Sequence, residues 1–237
     1  MKAPLSFIFI FWFLFQSNVH AMDRIATDSI IVNDSSIAEE DSSRSHIKLF
    51  ENSPVPDKSR TRLLMCTTIG LYPVSMYWLY TQWYQDYPQS GFHFFNDNAE
   101  WEKMDKFGHA WDAYSISKPL MKCFRWSGYS NTKSTLLASG ISFLYQTTVE
   151  VFDGFSEEWG FSSGDIICNT AGVGLFAAQQ VGWEEQRIVL KYSFHQTKYS
   201  RYRPQLLGSN LPENILKDYN GLTYWASINP ASFFKNK

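Results

Sequence analysis

Three otherwise apolar segments of the chain carry polar and ionisable residues at helical spacing. They are Asp105-Lys106-Phe107-Gly108-His109, Glu150-Val151-Phe152-Asp153-Gly154 and Asp165-Ile166-Ile167-Cys168-Asn169. Ionisable groups in apolar helices are costly to bury unless they meet opposite charges or hydrogen-bonding partners. The spacing therefore predicts that the three segments converge on one polar cluster, which is the first place to look for function.

The sharpest physical constraint concerns Glu150 and Asp153. The pattern places both acids at the C-terminal end of a helix, where the helix macrodipole is negative. Two carboxylates there are unfavourable unless a cation or water compensates them. Lys106, a protonated His109 and a metal ion are the candidate cations. The sequence thus predicts contact between the helix that carries Lys106 and the helix that carries the two acids.

His109 is the residue of the set best suited to proton transfer. A histidine oriented by Asp105, Glu150 or Asp153 would be the usual arrangement of a general base. The same side chains could ligate a metal ion, although one histidine with acids is a weak signal for zinc. A third interpretation is a buried histidine that only hydrogen-bonds to a carboxylate. The candidate catalytic residues are His109, Glu150, Asp153 and Asp165.

Asp165 also has a purely structural explanation. Ser162 and Asp165 have the spacing of a capping box, and the macrodipole stabilises an acid in a first helical turn. Capping does not explain Asn169, which lies one turn further along the same face. On the helix that carries His109, Asp112 lies on the same face as His109. The polar network expected around the catalytic candidates consists of Asp105, Lys106, Asp112 and Asn169.

The elements that must position these residues are mainly helical. The predicted fold class is mainly α, a compact bundle of three to four helices with a short extended or β C-terminal tail. The uncharged stretch 63–85 predicts a helix that packs in the domain or lies on a membrane, with a membrane span as the alternative. Three further helices are expected over about 97–118, about 132–152 and 162–182. The first of these is predicted to begin near Asp97, because Asp97 and Glu100 have the spacing of a capping box.

The remaining boundaries follow from the change of pattern near residue 187. Alternating apolar residues predict two short strands after that point, separated by a short helix near Pro212 to Asp218. We therefore assign residues 63–186 to the helical domain and residues 187–237 to an extended, aromatic-rich tail. Gly172 and Gly174 are expected to permit close approach of a neighbouring helix.

The N-terminus predicts export. Lys2, an apolar run over 5–15 and the small residues of Val19-His20-Ala21 have the organisation of a secretory signal peptide, assigned to residues 1–21. The chain is then expected in the periplasm or on the outer face of a membrane. Residues 22–62 are rich in Ser, Asp and Glu and predict a disordered linker. No cysteine follows the predicted cleavage position, so lipid attachment there is not expected.

The amino-acid composition limits the classes of partner that the protein is expected to bind. The formal net charge of -2 gives a nucleic-acid partner no electrostatic support. The aromatic content of 17% suits either an aromatic-rich core or a membrane interface. A membrane surface or another cell-envelope component is therefore the expected partner, and protein partners are open. The three cysteines Cys66, Cys123 and Cys168 allow at most one internal disulfide.

Taken together, the motifs resemble a known family. Met104-Asp105-Lys106-Phe107-Gly108-His109, Glu150-Val151-Phe152-Asp153-Gly154-Phe155-Ser156 and Trp159-Gly160-Phe161-Ser162 resemble the YfiM-like predicted periplasmic lipoproteins, a family of unknown function. The chain is more loosely similar to VanZ-like membrane proteins, which order an Asp-Lys-x-x-His, a Glu and an Asp-x-x-x-Asn along successive helices. The resemblance implies a helical cell-envelope protein of unestablished activity. The chain departs from the lipoproteins in lacking a lipobox cysteine.

Two functional classes follow. No His-Glu-x-x-His motif, paired Cys-x-x-Cys motif or glycine-rich phosphate loop is present, so no particular cofactor is predicted and a metal is left open. The first hypothesis is a structural or accessory envelope protein whose buried polar cluster fixes helix packing. The alternative is a hydrolase or transferase for a lipid-linked or cell-wall substrate. It would use His109 as the base, with Glu150, Asp153 or Asp165 orienting it or holding a metal.

Overall fold

The computed structural model describes residues 51–234 of the chain. The predicted signal peptide and most of the predicted linker lie outside the described residues. Within them, the protein is mainly helical, with a bundle of four long helices and a short C-terminal antiparallel sheet. The predicted fold class is confirmed.

The first helix, α1, spans Lys58–Leu79 and continues into a π-helical turn over Tyr80–Tyr84. It begins at Lys58 rather than at the predicted boundary after residue 62, because the Asp57 side chain accepts hydrogen bonds from the backbone N–H groups of Ser59 and Arg60. Within residues 51–234, no helix combines the length and hydropathy that a membrane span requires.

The second helix, α2, differs from the prediction at both ends. It spans Met104–Trp126, after a 3₁₀ turn over Trp101–Lys103 in which all three residues have positive φ. The earlier start predicted near Asp97 is therefore wrong. The helix also continues through Pro119, where it was expected to stop. Burial of Met121 and Phe124 beyond the proline, at about 1.5 to 3 kcal/mol each, offsets a proline cost of about 3 kcal/mol.

The next two helices match the predicted ranges closely. Helix α3 spans Asn131–Asp153 with Ser130 as its N-cap, and α4 spans Ser163–Trp183 with Ser162 as its N-cap. The three helices α2, α3 and α4 pack against one another around a small apolar core. The buried members of that core are Tyr114, Met121, Phe124, Ala138 and Phe176.

Helix α3 buries polar residues and exposes apolar ones. Leu136 is 59% exposed and Leu144 is 65% exposed, whereas Ser142 and Glu150 are fully buried. The Ser142 hydroxyl donates a hydrogen bond to the carbonyl oxygen of Ala113 on α2, at 2.7 Å. The other buried polar residues of α3 are Ser134, Thr135, Ser139 and Gln146. The apolar content of this helix therefore lies mostly outside the core.

The C-terminal residues fold back onto the bundle. Strands β1 (Ile188–Phe194) and β2 (Leu222–Ile228) pair antiparallel, with Ile188 opposite Ile228. Two short helices, α5 (Pro204–Leu207) and α6 (Leu211–Lys217), lie between them. The ring of Tyr192 stacks on Trp111 of α2, with centroids 4.7 Å apart. The predicted strands and the short helix near 212–218 are present, and all three cysteines are free thiols.

Only one of the two glycines expected at a helix contact is used in that way. A Cβ at Gly172 would overlap the backbone carbonyl of Ala110, so α4 and α2 touch through this glycine. A Cβ at Gly174 would meet nothing within 4 Å, so the expectation for Gly174 is wrong.

This difference predicts opposite effects of the same substitution. Gly172→Ala forces α2 and α4 apart and should lower the free energy of unfolding by about 2 kcal/mol. Gly174→Ala introduces no clash and lowers the entropy of the unfolded chain, so it should raise stability by up to about 1 kcal/mol. Urea denaturation of both variants measures the two values. Equal effects would contradict the close contact at Gly172.

Candidate functional site

The three polar segments meet where three helix ends come together. These helix ends are the N-terminus of α2, the C-terminus of α3 and the N-terminus of α4. We call the residues gathered there the polar cluster. Its members are Asp97, Asp105, Lys106, His109, Glu150, Ser162, Asp165 and Asn169. The structure thus brings together residues from all three segments that the spacing predicted to converge.

Lys106 is the permanent cation of the polar cluster. Its Nζ lies 2.6 Å from Asp97 Oδ1, 2.7 Å from Asp165 Oδ1 and 3.4 Å from Asp105 Oδ2. Burial alone would lower the pKa of Lys106. The hydrogen bonds to Asp165 and Asp97 and the nearby charge of Asp105 outweigh burial and raise that pKa above its usual value. Lys106 therefore stays charged and joins α4 to the loop before α2.

His109 occupies the centre of the polar cluster. Its Nε2 lies 3.3 Å from Glu150 Oε1, 3.7 Å from Asp105 Oδ1 and 3.9 Å from Asp165 Oδ1. Its Nδ1 lies 3.2 Å from Asn169 Oδ1. Burial lowers the pKa of His109, but the charges of the surrounding carboxylates outweigh it and raise the pKa to about 9. In the absence of a bound metal ion, His109 is therefore an imidazolium at neutral pH.

Glu150 is the most deeply buried acid in the cluster. Its side chain is 0% exposed, and its Oε2 accepts a hydrogen bond from the backbone N–H of Ser162 at 3.3 Å. Its Oε1 is buried without a hydrogen bond and faces His109. Burial raises the pKa of Glu150 to about 8 although the charge of His109 opposes the shift. The predicted contact between α2, which carries Lys106 and His109, and α3, which carries Glu150, is therefore present.

Asp165 combines the two roles that the sequence left open. Its backbone N–H donates to the Ser162 hydroxyl oxygen at 3.2 Å, so Ser162 caps α4. The reciprocal position of a capping box, the Ser162 N–H, is bonded to Glu150 instead. The Asp165 side chain is thereby left to face Lys106 and His109. Burial raises the pKa of Asp165 to about 6, against the opposing charge of His109.

Two of the expected site residues lie beside the polar cluster. Asp153 accepts a hydrogen bond from the Tyr84 hydroxyl at 2.7 Å, and burial raises its pKa to about 7. Asp112 is half-buried next to Gln146, and the loss of solvent around its carboxyl raises its pKa to about 6. The sequence predicts a cation next to Asp153. The closest hydrogen-bonding partner of Asp153 is instead the Tyr84 hydroxyl, from the π-helical turn after α1.

Three residues of the site were not identified from the sequence. Asp97, interpreted as a helix cap, instead accepts hydrogen bonds from the Ser162 hydroxyl and Lys106. Tyr219, from the turn before β2, donates to Asp105 Oδ1 at 3.0 Å. Tyr84 reaches Asp153 from the other side. No local pattern marks Tyr84 and Tyr219, which reach the site through turns distant in sequence. Asp97 lies in the loop just before α2, where its spacing to Glu100 indicates a helix cap instead.

Ser162 lies in the sequence Gly160-Phe161-Ser162-Ser163-Gly164, which matches the Gly-x-Ser-x-Gly pattern of hydrolase nucleophile elbows. An elbow holds its serine on a strained turn with an exposed hydroxyl. Ser162 instead has an unstrained φ of -99°, is 1% exposed and uses its hydroxyl to bond Asp165 and Asp97. The match is therefore explained by helix capping.

The polar cluster also contains a possible set of metal ligands. One ligand atom each from Asp105, His109 and Asp165 lies within 4.8 Å of the others. Two surface depressions of the protein lie elsewhere, near the C-terminus of α2 and the N-terminus of α3. Their lining includes Pro56, Arg125, Tyr129 and Lys133.

A family model described as "Predicted periplasmic lipoprotein (DUF2279)" matches residues 91–180. The match covers less than half of the chain and includes every member of the polar cluster. Its description is consistent with export to the periplasm or the outer face of a membrane, as the N-terminal sequence predicts. No curated protein and no solved structure matches the chain.

The buried carboxyl of Asp153 predicts a specific pH dependence of stability. An unfolded aspartate releases its proton near pH 3.9, whereas folded Asp153 does so near pH 7. The folded state thus binds this proton more tightly, so the free energy of unfolding falls as pH rises from about 4 to about 7. Asp153→Asn keeps an acceptor for Tyr84 and should remove on the order of 2 kcal/mol of this fall.

The measurement is denaturation at pH 5 and pH 8 with a chelator present. Glu157→Gln, at an exposed carboxylate outside the cluster, is the control and should retain the wild-type difference between the two pH values. An unchanged pH dependence in Asp153→Asn would show that this carboxyl does not bind its proton more tightly in the folded state.

Proposed function

We propose that this protein is a non-catalytic accessory protein of the cell envelope. Its helical domain rests on a membrane through the outer sides of α1, α3 and α4, and the polar cluster fixes the packing of the helices behind that surface. The single observation that carries the proposal is the reversed distribution of polarity in α3, which buries its hydroxyl and carboxyl groups and exposes its leucines.

The exposed apolar residues of these helices form what we call the apolar outer surface. Its members are Ile69, Leu71, Val74 and Tyr77 of α1, Leu136, Leu137 and Leu144 of α3, and Ile167 and Val181 of α4. Tyr77 is 71% exposed and Ile69 is 65% exposed. Extended apolar patches on a protein surface mark sites of contact with a membrane or a partner.

A lipid surface fits this pattern better than a second protein. Residues 63–85, which include most of α1 and its π-helical turn, contain no charged side chain. Most exposed residues of α3 and α4 are likewise apolar or small, so several helices expose apolar side chains. Tyr72 connects α1 to α3 through its ring contact with Tyr145 and its hydrogen bond to Thr148. Tyrosines at such a boundary suit a membrane interface.

The family description and the N-terminus support the same location. The matched family is described as a predicted periplasmic lipoprotein, which is a membrane-attached class. The residue directly after the predicted cleavage position is Met22 rather than the cysteine of a lipoprotein, so we do not invoke attachment by an N-terminal lipid. An apolar outer surface would supply membrane affinity in its place.

The YfiM-like and VanZ-like resemblances belong to this proposal. The Asp-Lys-x-x-His, Glu and Asp-x-x-x-Asn residues that carry the looser similarity are neighbours in space, at the junction of three helices. This arrangement supports an architectural role for such a triplet of motifs on successive helices. It favours no particular reaction.

The enzymatic alternative has less support. A general base at neutral pH must be an unprotonated imidazole, whereas the carboxylates around His109 raise its pKa to about 9. Glu150 and Asp165 are almost completely buried, and each already faces another group of the cluster. These contacts favour a structural role for the histidine and both acids.

Membrane binding can be tested by sedimentation with vesicles of phosphatidylethanolamine and phosphatidylglycerol. Leu136→Glu combined with Leu144→Glu places two charges on the apolar outer surface without touching the core. We expect at least tenfold weaker partitioning, since burial of one leucine is worth about 1.5 to 3 kcal/mol. Tyr202→Glu, at a 77% exposed position in a turn of the tail, is the matched control and should bind like the wild type.

Each variant is compared in the same chain, so any contribution of the N-terminal segment to vesicle binding is constant. Equal partitioning of the wild type and the double variant would contradict the proposal. So would a dimer that fails to bind vesicles and dissociates on the same substitution, because the surface would then contact a second copy.

A further inference from the structure

Three carboxylate oxygens from three different segments surround one imidazole nitrogen. Asp105 Oδ1, Glu150 Oε1 and Asp165 Oδ1 all lie within 4 Å of His109 Nε2. We propose that these four atoms form a binding site for one divalent transition-metal ion of the zinc type. The site would join α2, α3 and α4 at a single point.

The distances from His109 Nε2 are close to those between neighbouring ligands of a four-coordinate ion. Zinc bonds to nitrogen and carboxylate oxygen are about 2.0 to 2.1 Å, so neighbouring ligands of a tetrahedral site are about 3.3 to 3.4 Å apart. The three distances from Nε2 are 3.3, 3.7 and 3.9 Å. One ligand atom each of Asp105, His109 and Asp165 already lies within 4.8 Å of the other two, so side-chain rotation would bring these three together. Glu150 Oε1, 3.3 Å from Nε2, would have to move further to complete the first coordination sphere.

The imidazole is oriented as a metal ligand requires. Its Nδ1 faces Asn169 Oδ1, which can only accept a hydrogen bond, so Nδ1 keeps its proton. Metal binding would displace the proton from Nε2 and leave the Nε2 lone pair pointing into the ring of oxygens. Ligating histidines almost always have such an acceptor on their other nitrogen. Asn169 is 0% exposed, so the contact is fixed by packing.

Two of the carboxylate oxygens are also held in place by outer groups. The Tyr219 hydroxyl donates to Asp105 Oδ1, and the Lys106 ammonium contacts Asp165 Oδ1. Hydrogen bonds of this kind to ligating carboxylates are typical of metal sites, where they fix the ligand orientation. Lys106 also offsets part of the negative charge that Asp97 and the three ligating carboxylates would place around a divalent ion.

The independent indication of a missing ligand is Glu150 Oε1. This atom is completely buried and accepts no hydrogen bond, although the carboxyl group is aimed into the cluster. A buried acceptor without a partner is costly. A metal ion between Glu150 and His109 would satisfy it.

The donor set indicates the class of metal. One imidazole nitrogen with three carboxylates suits zinc and neighbouring transition metals. Calcium prefers six to eight oxygen ligands, and magnesium retains several waters in an octahedral shell, so neither fits a nearly closed site of four protein ligands.

The test uses the full chain after treatment with a chelator. The protein is dialysed against zinc, and bound metal per chain is measured by mass spectrometry. We expect one equivalent in the wild type and at least tenfold weaker binding in His109→Gln and in Asp165→Asn. The controls are His195→Gln and Glu157→Gln, both at exposed positions, which should bind like the wild type. The titrations are repeated with Cys66→Ser, because an exposed thiol can also take zinc.

Cobalt(II) binding to the wild type keeps the proposal testable if a ligand variant fails to fold. The intense visible absorption of four-coordinate cobalt without a thiolate charge-transfer band supports the site. Three results would overturn the proposal. The wild type could fail to bind cobalt, or Cys66→Ser could remove both a thiolate band and the bound metal. The third is unchanged affinity in folded His109→Gln and Asp165→Asn.

Discussion

The ion pairs of Lys106 are the interaction on which the rest of the helical domain depends. One ammonium group contacts Asp97 in the loop before α2 and Asp165 in the first turn of α4, at 2.6 and 2.7 Å. Removing one partner of such a buried pair lowers the free energy of unfolding by about 3 to 5 kcal/mol, because the remaining charge is left uncompensated. The contacts therefore fix the position of the N-terminus of α2 relative to the N-terminus of α4.

Helix polarity explains why a second cation is needed beside Lys106. Asp105 and Asp165 lie in first turns, where the macrodipole favours a negative charge. Glu150 lies near the C-terminus of α3, where the macrodipole opposes it. His109 faces Glu150 and can offset that charge as an imidazolium or as the ligand of a bound metal. The same geometry thus supports a structural role and a metal site without requiring catalysis.

The sequence predicts the site better than it predicts the boundaries of the elements. Charged residues in apolar helices have few favourable environments, so their convergence follows from desolvation alone. The ends of α2 could not be predicted, because Asp97 has cap-like spacing but is used by Lys106, and because core packing of Phe124 outweighs Pro119. Tyr84 and Tyr219 reach the site through distant turns, which no local periodicity marks. The outward position of Leu136 and Leu144 on α3 was also beyond prediction, since it depends on which face the neighbouring helices cover.

The most direct test of the central claim is a double-mutant cycle between Lys106→Met and Asp165→Asn. The free energy of unfolding is measured for the wild type, both single variants and the double variant, with a chelator present throughout. If the ion pair fixes the meeting of α2 and α4, the coupling energy should be about 1 to 3 kcal/mol. Additive effects, with a coupling energy below about 0.3 kcal/mol, would contradict the account.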